Sequence, residues 1–225
     1  MAIKQGLNAP DAIIRTDVAQ YAAAHSTPPD ATQEALVEAT VRLTGGAAAM
    51  QIGGDQAVFM EVLTRSIGAK HAIEIGTFTG YSAIAIARGV GADGRLICCD
   101  VSTEWTDIAK EHWVAAGVAD RIDLRIAPAL ETLAAFDADT RFDLAFIDAD
   151  KPAYGAYLEA LYPLLAPGAL VLVDNTLWSG WVLDDSATDA NTVALRAFND
   201  AVANDDRFTV VVLTIGDGVT ILEKR

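Results

Sequence analysis

Basic residues are scarce in this sequence. Lys and Arg together number 16 against 31 Asp and Glu, so the formal net charge is −15. Nucleic acids and anionic membrane surfaces are usually bound through basic patches, and the chain has no run of Lys and Arg that would form one. We therefore expect neither nucleic acid nor a membrane among its partners.

Long hydrophobic runs and cysteines are also few. No stretch reaches the roughly 18 uninterrupted apolar residues of a membrane-spanning helix, and the first ten residues lack the apolar segment of a signal peptide. The two cysteines, Cys98 and Cys99, are neighbours in sequence, which is a poor arrangement for a disulfide. These absences predict a cytoplasmic protein.

Apolar residues are abundant, at 52% of the 225 residues, which is enough for a substantial core. The length predicts one domain over 1–225. Residues 1–70 should form a helical cap, with helices over 12–24, 34–43 and 55–67, and Asp30 can cap the second of these.

From residue 71 onward, short apolar runs alternate with helical stretches. The runs are 72–75, 96–99, 122–126, 144–147 and 170–173, and the helices are 83–90, 104–116, 129–136, 154–165 and 193–202. This alternation predicts βαβ units and a parallel sheet whose strands are buried on both faces. The runs 208–215 and 219–222 flank a Gly-Asp-Gly turn and predict a closing antiparallel hairpin. The expected architecture is a doubly wound α/β core over 71–225 with seven strands.

A glycine-rich turn, EIGTFTG at 74–80, follows the first predicted strand and opens a helix. Glycines let a ligand approach the backbone closely, and a helix N-terminus offers free N–H groups. The spacing differs from G-x-G-x-x-G, and Glu74 would repel a phosphate, so a dinucleotide site is disfavoured. A cofactor with a positive centre and an amino group, such as S-adenosylmethionine, fits better. The alternative is that Gly76 and Gly80 only serve a tight turn.

The second predicted strand ends at Asp100, where a carboxylate suits the two hydroxyls of a ribose. Residues 127–129 follow the third strand and could flank an adenine. The alternative for Asp100 is a solvated loop residue.

Carboxylates end the fourth and fifth predicted strands, with DADK at 148–151 and DN at 174–175. Neighbouring strands lie about 4.8 Å apart, so Asp148, Asp174 and Asn175 can meet on one ion. Three oxygen donors without His or Cys favour a hard cation, Mg²⁺ first and Ca²⁺ or Mn²⁺ as alternatives. The remaining positions would suit the two vicinal oxygens of a catechol. The alternative is that these acids cap helices or lie on exposed loops.

Lys151 follows three residues after Asp148. Beside a divalent cation its ammonium form is disfavoured, so it could take a proton from a substrate hydroxyl. The cation would also acidify that hydroxyl directly. The alternative is a surface lysine near acids.

The chain closely resembles the cation-dependent O-methyltransferases, the group of caffeoyl-CoA and catechol O-methyltransferases, over about residues 35–225. The residues that carry the resemblance are AIEIGTFTGYS at 72–82, FIDADK at 146–151, VDNTLW at 173–178 and GDGVT at 216–220. The resemblance implies the Rossmann-like methyltransferase fold, S-adenosylmethionine as cofactor and a homodimer.

The resemblance also implies roles for individual residues. It implies cofactor contacts at Met50, Ile52, Glu74, Gly76, Thr77, Ser82, Asp100, Ala129, Asp148 and Asp150. It implies a divalent metal at Asp148, Asp174 and Asn175, and catalytic roles for Lys151 and Asp148.

The acceptor is expected to be a small hydroxylated aromatic molecule. Trp178 and Trp181 flank Ser179 and Gly180 just past the metal positions and could wall such a substrate, although either Trp could instead pack into the core. The plant caffeoyl-CoA enzymes have Asn where this chain has Ser179, and only Lys4 could replace their N-terminal basic contact. With the net charge of −15, this favours a free catechol over a polyanionic CoA ester.

Three alternatives stay open at this point. The first keeps the cofactor but methylates a secondary metabolite that is not a catechol. The second is a nicotinamide-dependent oxidoreductase, which shares the fold class. The third is a binding protein without catalytic activity.

Overall fold

The computed structural model describes residues 16–225. Within them, eight α-helices and seven β-strands alternate along the chain. The helices are α1 (Thr16–Ala24), α2 (Ala31–Thr44), α3 (Gly54–Ser66), α4 (Tyr81–Val90), α5 (Thr103–Ala115), α6 (Ala129–Ala134), α7 (Tyr154–Leu161) and α8 (Ala190–Ala203). The strands are β1 (His71–Ile75), β2 (Arg95–Asp100), β3 (Ile122–Ile126), β4 (Phe142–Ile147), β5 (Leu165–Val173), β6 (Phe208–Leu213) and β7 (Val219–Lys224).

The strands form one sheet in the order β3-β2-β1-β4-β5-β7-β6. Strands β1 to β5 are mutually parallel. The last strand, β7, runs antiparallel to both β5 and β6. The second strand of the closing hairpin therefore lies between the first strand of the hairpin and β5. The seven-stranded, mostly parallel sheet and its antiparallel end are confirmed.

Helices cover both faces of the sheet, which is the doubly wound arrangement. One apolar cluster joins Leu36 of α2, Met60 of α3 and Ile84 of α4 to the sheet. The other joins Leu158 of α7 and Phe198 of α8 to the opposite face. Because both faces are covered, the central strands are almost entirely apolar.

Helix α2 begins directly after its expected cap, Asp30, at Ala31 rather than at the expected residue 34. The Asp30 carboxylate accepts hydrogen bonds from the N–H groups of Thr32 and Gln33, and the Gln33 side chain accepts from the Asp30 N–H. This capping box fixes the first turn of α2. The expected first helix is present over Thr16–Ala24, and residues 12–15 lie outside the described part of the chain.

Two expectations about the strands and one about a helix were wrong. The run 122–126 forms the edge strand β3, where Ile126 is 42% exposed, so it is not buried on both faces. The helix expected over 154–165 ends at Leu161, and β5 begins at Leu165 rather than 170. Pro163 shifts the last turn to a 3₁₀ helix. A bulge at Gly168, which has φ +76°, interrupts the strand pattern in the sequence, so the pattern does not show where β5 begins.

None of the helices between residues 16 and 225 combines the length and the apolar character needed to cross a bilayer.

Candidate active site

A cavity of about 850 Å³ opens at the carboxyl ends of the parallel strands. It lies where the strand order reverses, between β1 and β4, and ligands of doubly wound sheets bind at this switch point. The cavity is lined by these residues expected to contact the cofactor: Met50, Ile52, Gly76, Thr77, Ser82, Asp100, Ala129, Asp148 and Asp150.

The glycine turn after β1 packs closely against neighbouring elements and also borders the ligand cavity. Gly76 has φ +90°, and a side chain there would overlap the backbone carbonyl of Asp148 at the end of β4. Gly80 has φ +82° at the start of α4, and a Cβ would lie 2.5 Å from Trp113 Nε1. Both glycines therefore serve the turn, and the same turn forms a wall of the cavity.

Asp100 is held by backbone N–H groups of two loops. Its Oδ2 accepts from Thr77 at 2.9 Å and from Phe78 at 2.8 Å, and its Oδ1 accepts from Ser102 at 2.7 Å. The carboxylate is thus fixed at the rim of the cavity. Oδ2 already accepts two hydrogen bonds, so the expected ribose contact would use the remaining acceptor capacity of Oδ1.

Glu74 lies behind the cavity wall and not on it. Its side chain is fully buried on β1, and its Oε2 accepts from the Cys98 thiol at 3.3 Å. Burial raises the pKa of Glu74 to about 7, while the Ser82 hydroxyl lowers it. Oε1 has no hydrogen-bond partner within residues 16–225. A buried acceptor without a partner, close to the turn, fits a cofactor that carries positive charge.

Asp150 is oriented by Tyr157, a residue that the sequence analysis missed. The Tyr157 hydroxyl donates to Asp150 Oδ1 at 2.5 Å, and both side chains line the cavity. Tyr157 lies on α7, two helical turns after Asp150, so the helical period was the available signal.

The acids at the ends of β4 and β5 come together as expected. Asp148, Asp174 and Asn175 all line the cavity. Asp174 is 2% exposed, and its pKa is raised by burial and then by repulsion from the Asp148 carboxylate. The Asp174 Oδ1 accepts from the Asn175 N–H at 2.8 Å, and Asn175 has φ +58°, a conformation that Asn tolerates well.

Lys151 neutralises part of this charge. Its Nζ donates to Asp148 Oδ1 at 3.0 Å and lies 5.0 Å from the ring centroid of Tyr154 and 5.9 Å from that of Trp178. Burial raises the pKa of Asp148, while Lys151 lowers it. The side chain of Lys151 is nearly buried, so it is not the exposed surface lysine of the alternative interpretation.

The donor set of the three residues fits a divalent cation. Two carboxylates and one carboxamide offer only oxygen, which suits Mg²⁺, Mn²⁺ or Ca²⁺. Asp174 is buried, and Asp148 is partly buried with 19% of its side chain exposed. The two carboxylates repel each other, and among the described cavity residues Lys151 is the only basic one. A bound cation would offset this repulsion.

The three expected substrate residues differ in position. Trp178 lines the cavity and also packs against the apolar cluster below α8. Ser179 and Trp181 are not among the cavity residues, and Trp181 is 53% exposed. The Ser179 N–H instead donates to the Asp217 carboxylate in the turn between β6 and β7. A substrate role for Ser179 and Trp181 stays a prediction.

Two further cavity residues were not identified from the sequence. Gln56 reaches the cavity from α3 with 2% exposure. Trp105 lines the cavity, and its ring meets the Phe78 ring edge-on with 5.0 Å between the ring centroids. Trp113 is the packing residue, because it is buried and donates to the Gly80 carbonyl at 3.1 Å.

Comparison with known proteins agrees with this geometry. A family model described as O-methyltransferase matches residues 23–225. A probable caffeoyl-CoA O-methyltransferase 2 from Dictyostelium discoideum is 40% identical over 174 residues, covering 76% of this chain and 75% of that protein.

Similar proteins have been solved in complex with the cofactor or with its demethylated product. An O-methyltransferase from Bacillus cereus in complex with S-adenosylhomocysteine (SAH) superposes with a TM-score of 0.84 at 30% identity, covering 93% of this chain and 98% of that chain. TomG, an O-methyltransferase from Streptomyces achromogenes in complex with S-adenosylmethionine, gives 0.84 at 28% identity, with 92% and 96% covered. The chain belongs to the O-methyltransferase family of the caffeoyl-CoA type and is an S-adenosylmethionine-dependent O-methyltransferase.

Proposed function

We propose that this enzyme requires a divalent cation and methylates one hydroxyl of a free catechol-type aromatic molecule. The observation that carries the proposal is the pair of carboxylates at the ends of β4 and β5, of which Asp174 is buried and Asp148 is partly buried. Asp148 and Asp174 repel each other beside Asn175, inside the cavity that also contains the glycine turn. Such a pair is costly to bury unless a cation joins it.

Each group of residues in the cavity has a separate role. Asp148, Asp174 and Asn175 would hold the cation, which supplies the charge that orients two vicinal oxygens and acidifies a hydroxyl. S-adenosylmethionine supplies the methyl group on a positively charged sulfur. Asp100, fixed by three backbone N–H groups, orients the ribose. Much of the rate enhancement then comes from positioning two substrates in one cavity.

Lys151 is proposed as the acceptor of the hydroxyl proton. Its Nζ is 3.0 Å from Asp148 Oδ1, so the proton acceptor and a cation ligand are adjacent. The aromatic faces of Tyr154 and Trp178 lie beside the same nitrogen. A divalent cation at Asp148 would favour the neutral amine of Lys151. That amine would accept the hydroxyl proton at Nζ as the hydroxyl oxygen takes the methyl group and S-adenosylhomocysteine leaves.

Charge favours a free acceptor over a CoA ester. Five aspartates line the cavity, at 100, 148, 150, 174 and 217, and Lys151 is the only basic residue among the described lining. A CoA ester carries several phosphate charges and would be repelled at long range by a protein of net charge −15.

The test is methyl transfer from labelled S-adenosylmethionine to catechol, resorcinol, caffeate and caffeoyl-CoA, with Mg²⁺ and with EDTA. We expect EDTA-sensitive methylation of catechol and caffeate, little of caffeoyl-CoA, and none of resorcinol, whose hydroxyls are not vicinal. Asp174→Asn should lower turnover at least about 100-fold while SAH binding, measured by calorimetry, persists.

Full activity in EDTA, or in Asp174→Asn, would refute cation dependence. Tight SAH binding without turnover of any catechol would instead favour the second candidate, a methyltransferase of another secondary metabolite. The exposed position of Trp181 favours that candidate, because Trp178 is then the one expected aromatic residue that contacts an acceptor in the cavity.

A further inference from the structure

The segment 175–180, which follows β5, has an uncommon backbone. Asn175, Trp178 and Ser179 have φ of +58°, +47° and +50°, in the left-handed region that residues other than glycine rarely adopt. Bulky side chains are the least suited to this region, so Trp178 is the most unusual of the three. Conformations of this kind persist only where surrounding contacts hold them, and they concentrate at functional sites.

The turn between β6 and β7 supplies such contacts through its backbone. The Thr176 N–H donates to the Gly218 carbonyl at 3.0 Å, and the Leu177 N–H donates to the Asp217 carbonyl at 3.1 Å. Gly218 has φ +90°, and a side chain there would overlap Leu177, so the close approach of the turn requires glycine. These two hydrogen bonds join backbone groups and hold the first half of the segment.

The second half of the segment is held by a side chain of the same turn. The Asp217 carboxylate accepts a hydrogen bond from the Ser179 N–H. A backbone N–H that donates to a carboxylate forms a charge-assisted hydrogen bond, roughly twice as strong as a neutral one. This hydrogen bond fixes the residue that follows Trp178, and it therefore fixes the direction in which the Trp178 side chain leaves the backbone.

The position of Trp178 makes its orientation important for the acceptor. Trp178 and Asp217 both line the cavity, and the centroid of the Trp178 ring lies 5.9 Å from Lys151 Nζ. Trp178 also follows the candidate cation ligand Asn175 by three residues. The ring therefore borders the place where an acceptor would meet the cation and the proton acceptor.

We propose that Asp217 is a positioning residue for the acceptor, because its hydrogen bond to the Ser179 N–H keeps the Trp178 ring on the cavity wall. The inference rests on the acceptor site of the proposed function and assigns Asp217 no part in binding the cofactor. Asparagine carries an Oδ1 that also accepts hydrogen bonds, so it should replace Asp217. Alanine has no acceptor and should not.

The first measurement is amide hydrogen exchange of the ligand-free full chain, read by mass spectrometry of peptides that contain residues 176–183. These peptides should exchange about tenfold faster in Asp217→Ala than in wild type, as expected for the loss of one hydrogen bond to a charged group. In Asp217→Asn the exchange should stay within about threefold of wild type. This measurement needs neither a cation nor an acceptor.

The second measurement is the steady-state kinetics of catechol methylation with Mg²⁺ and saturating S-adenosylmethionine. Asp217→Ala should raise the KM for catechol about tenfold and change kcat by less than about threefold. The SAH dissociation constant should stay within about twofold of wild type, and Asp217→Asn should restore the catechol KM. A general loss of stability would not raise one KM while leaving SAH affinity unchanged.

Asp143→Ala is the matched control. The Asp143 carboxylate accepts from the N–H groups of Lys70 and His71 at 2.8 and 2.9 Å, at the ends of β1 and β4 that are remote from the cavity. This variant also loses hydrogen bonds from backbone N–H groups to a carboxylate. It should lower the melting temperature and leave unchanged both the catechol KM and the exchange of residues 176–183.

The outcomes separate the two proposals. Wild-type protein that methylates no catechol would overturn the proposed acceptor and this inference with it. If wild type is active, unchanged exchange or an unchanged catechol KM in Asp217→Ala would overturn the inference alone. Equal impairment of Asp217→Asn and Asp217→Ala would also overturn it, because the charge of Asp217 and not its hydrogen bond would then matter.

Discussion

Glu74 is a fully buried carboxyl whose ionisation should destabilise the ligand-free fold, and Glu74→Gln tests this. Burial raises its pKa from 4.5 to about 7. A raised pKa in the folded state means that the folded protein binds the proton more tightly than the unfolded chain. The stability that this group contributes is therefore complete below about pH 4.5 and is lost as the pH rises through 7.

The magnitude follows from the shift. One pKa unit corresponds to about 1.36 kcal/mol, so the shift at Glu74 removes about 2.5 kcal/mol of unfolding free energy between pH 5 and pH 8. Glutamine has the same shape and does not ionise. Its amide oxygen can accept from the Cys98 thiol as Glu74 Oε2 does, and the buried Thr77 Oγ1, which lacks a partner, can accept an amide hydrogen.

The assay is urea unfolding of ligand-free wild type and Glu74→Gln at pH 5, 6, 7 and 8. The difference between the two proteins is informative because groups that do not interact with Glu74 contribute equally to both, and repulsion from Asp148 is the smallest of the causes given for the Glu74 shift. We expect the unfolding free energy of the variant, relative to that of wild type, to rise by about 2 to 3 kcal/mol between pH 5 and pH 8. Glu38→Gln, at an exposed position of α2, should show a flat difference. A flat difference for Glu74→Gln as well would refute the reasoning.

Three other substitutions test the remaining parts of the site. Lys151→Met removes the proposed proton acceptor and should lower kcat roughly 100-fold or more while calorimetry shows an unchanged SAH affinity; a kcat within twofold of wild type would contradict that role. Tyr157→Phe removes the hydroxyl that orients Asp150 and should weaken SAH binding about 3- to 10-fold, so equal affinities in the two proteins would count against it. Arg196→Met breaks hydrogen bonds to the carbonyls of Trp181, Val182, Asp184 and Ala187. It should raise the acceptor KM and the rate of proteolysis within 178–189 without changing SAH affinity; an unchanged acceptor KM would show that this segment does not shape the acceptor site.

Elements with strong local signals were predictable from the sequence. The capping box at Asp30 and the glycine turn after β1 are short-range patterns that depend on few residues. The antiparallel end of the sheet was predictable because β-branched runs flank a Gly-Asp-Gly turn. The start of β5 was not, because Pro167 and the bulge at Gly168 interrupt the period that marks a strand.

The candidate site was predictable where it follows from strand ends. Asp148 and Asp174 end adjacent parallel strands, so their proximity follows from topology. Glu74 is fully buried and is not among the cavity residues, so its expected contact with the cofactor stays a prediction. The alternation of side chains along β1 determines on which face of the sheet Glu74 lies. It does not determine the distance between Glu74 and the ligand.

The sequence by itself determined the order of elements, the glycine turn and the acids at the strand ends, because each of these depends on neighbours within a few residues. Only the tertiary structure decided that Gln56 of α3 and Trp105 of α5 line the cavity and that Tyr157 orients Asp150. These contacts join residues on different elements, and helix packing against the sheet sets their distances. No local period encodes that packing.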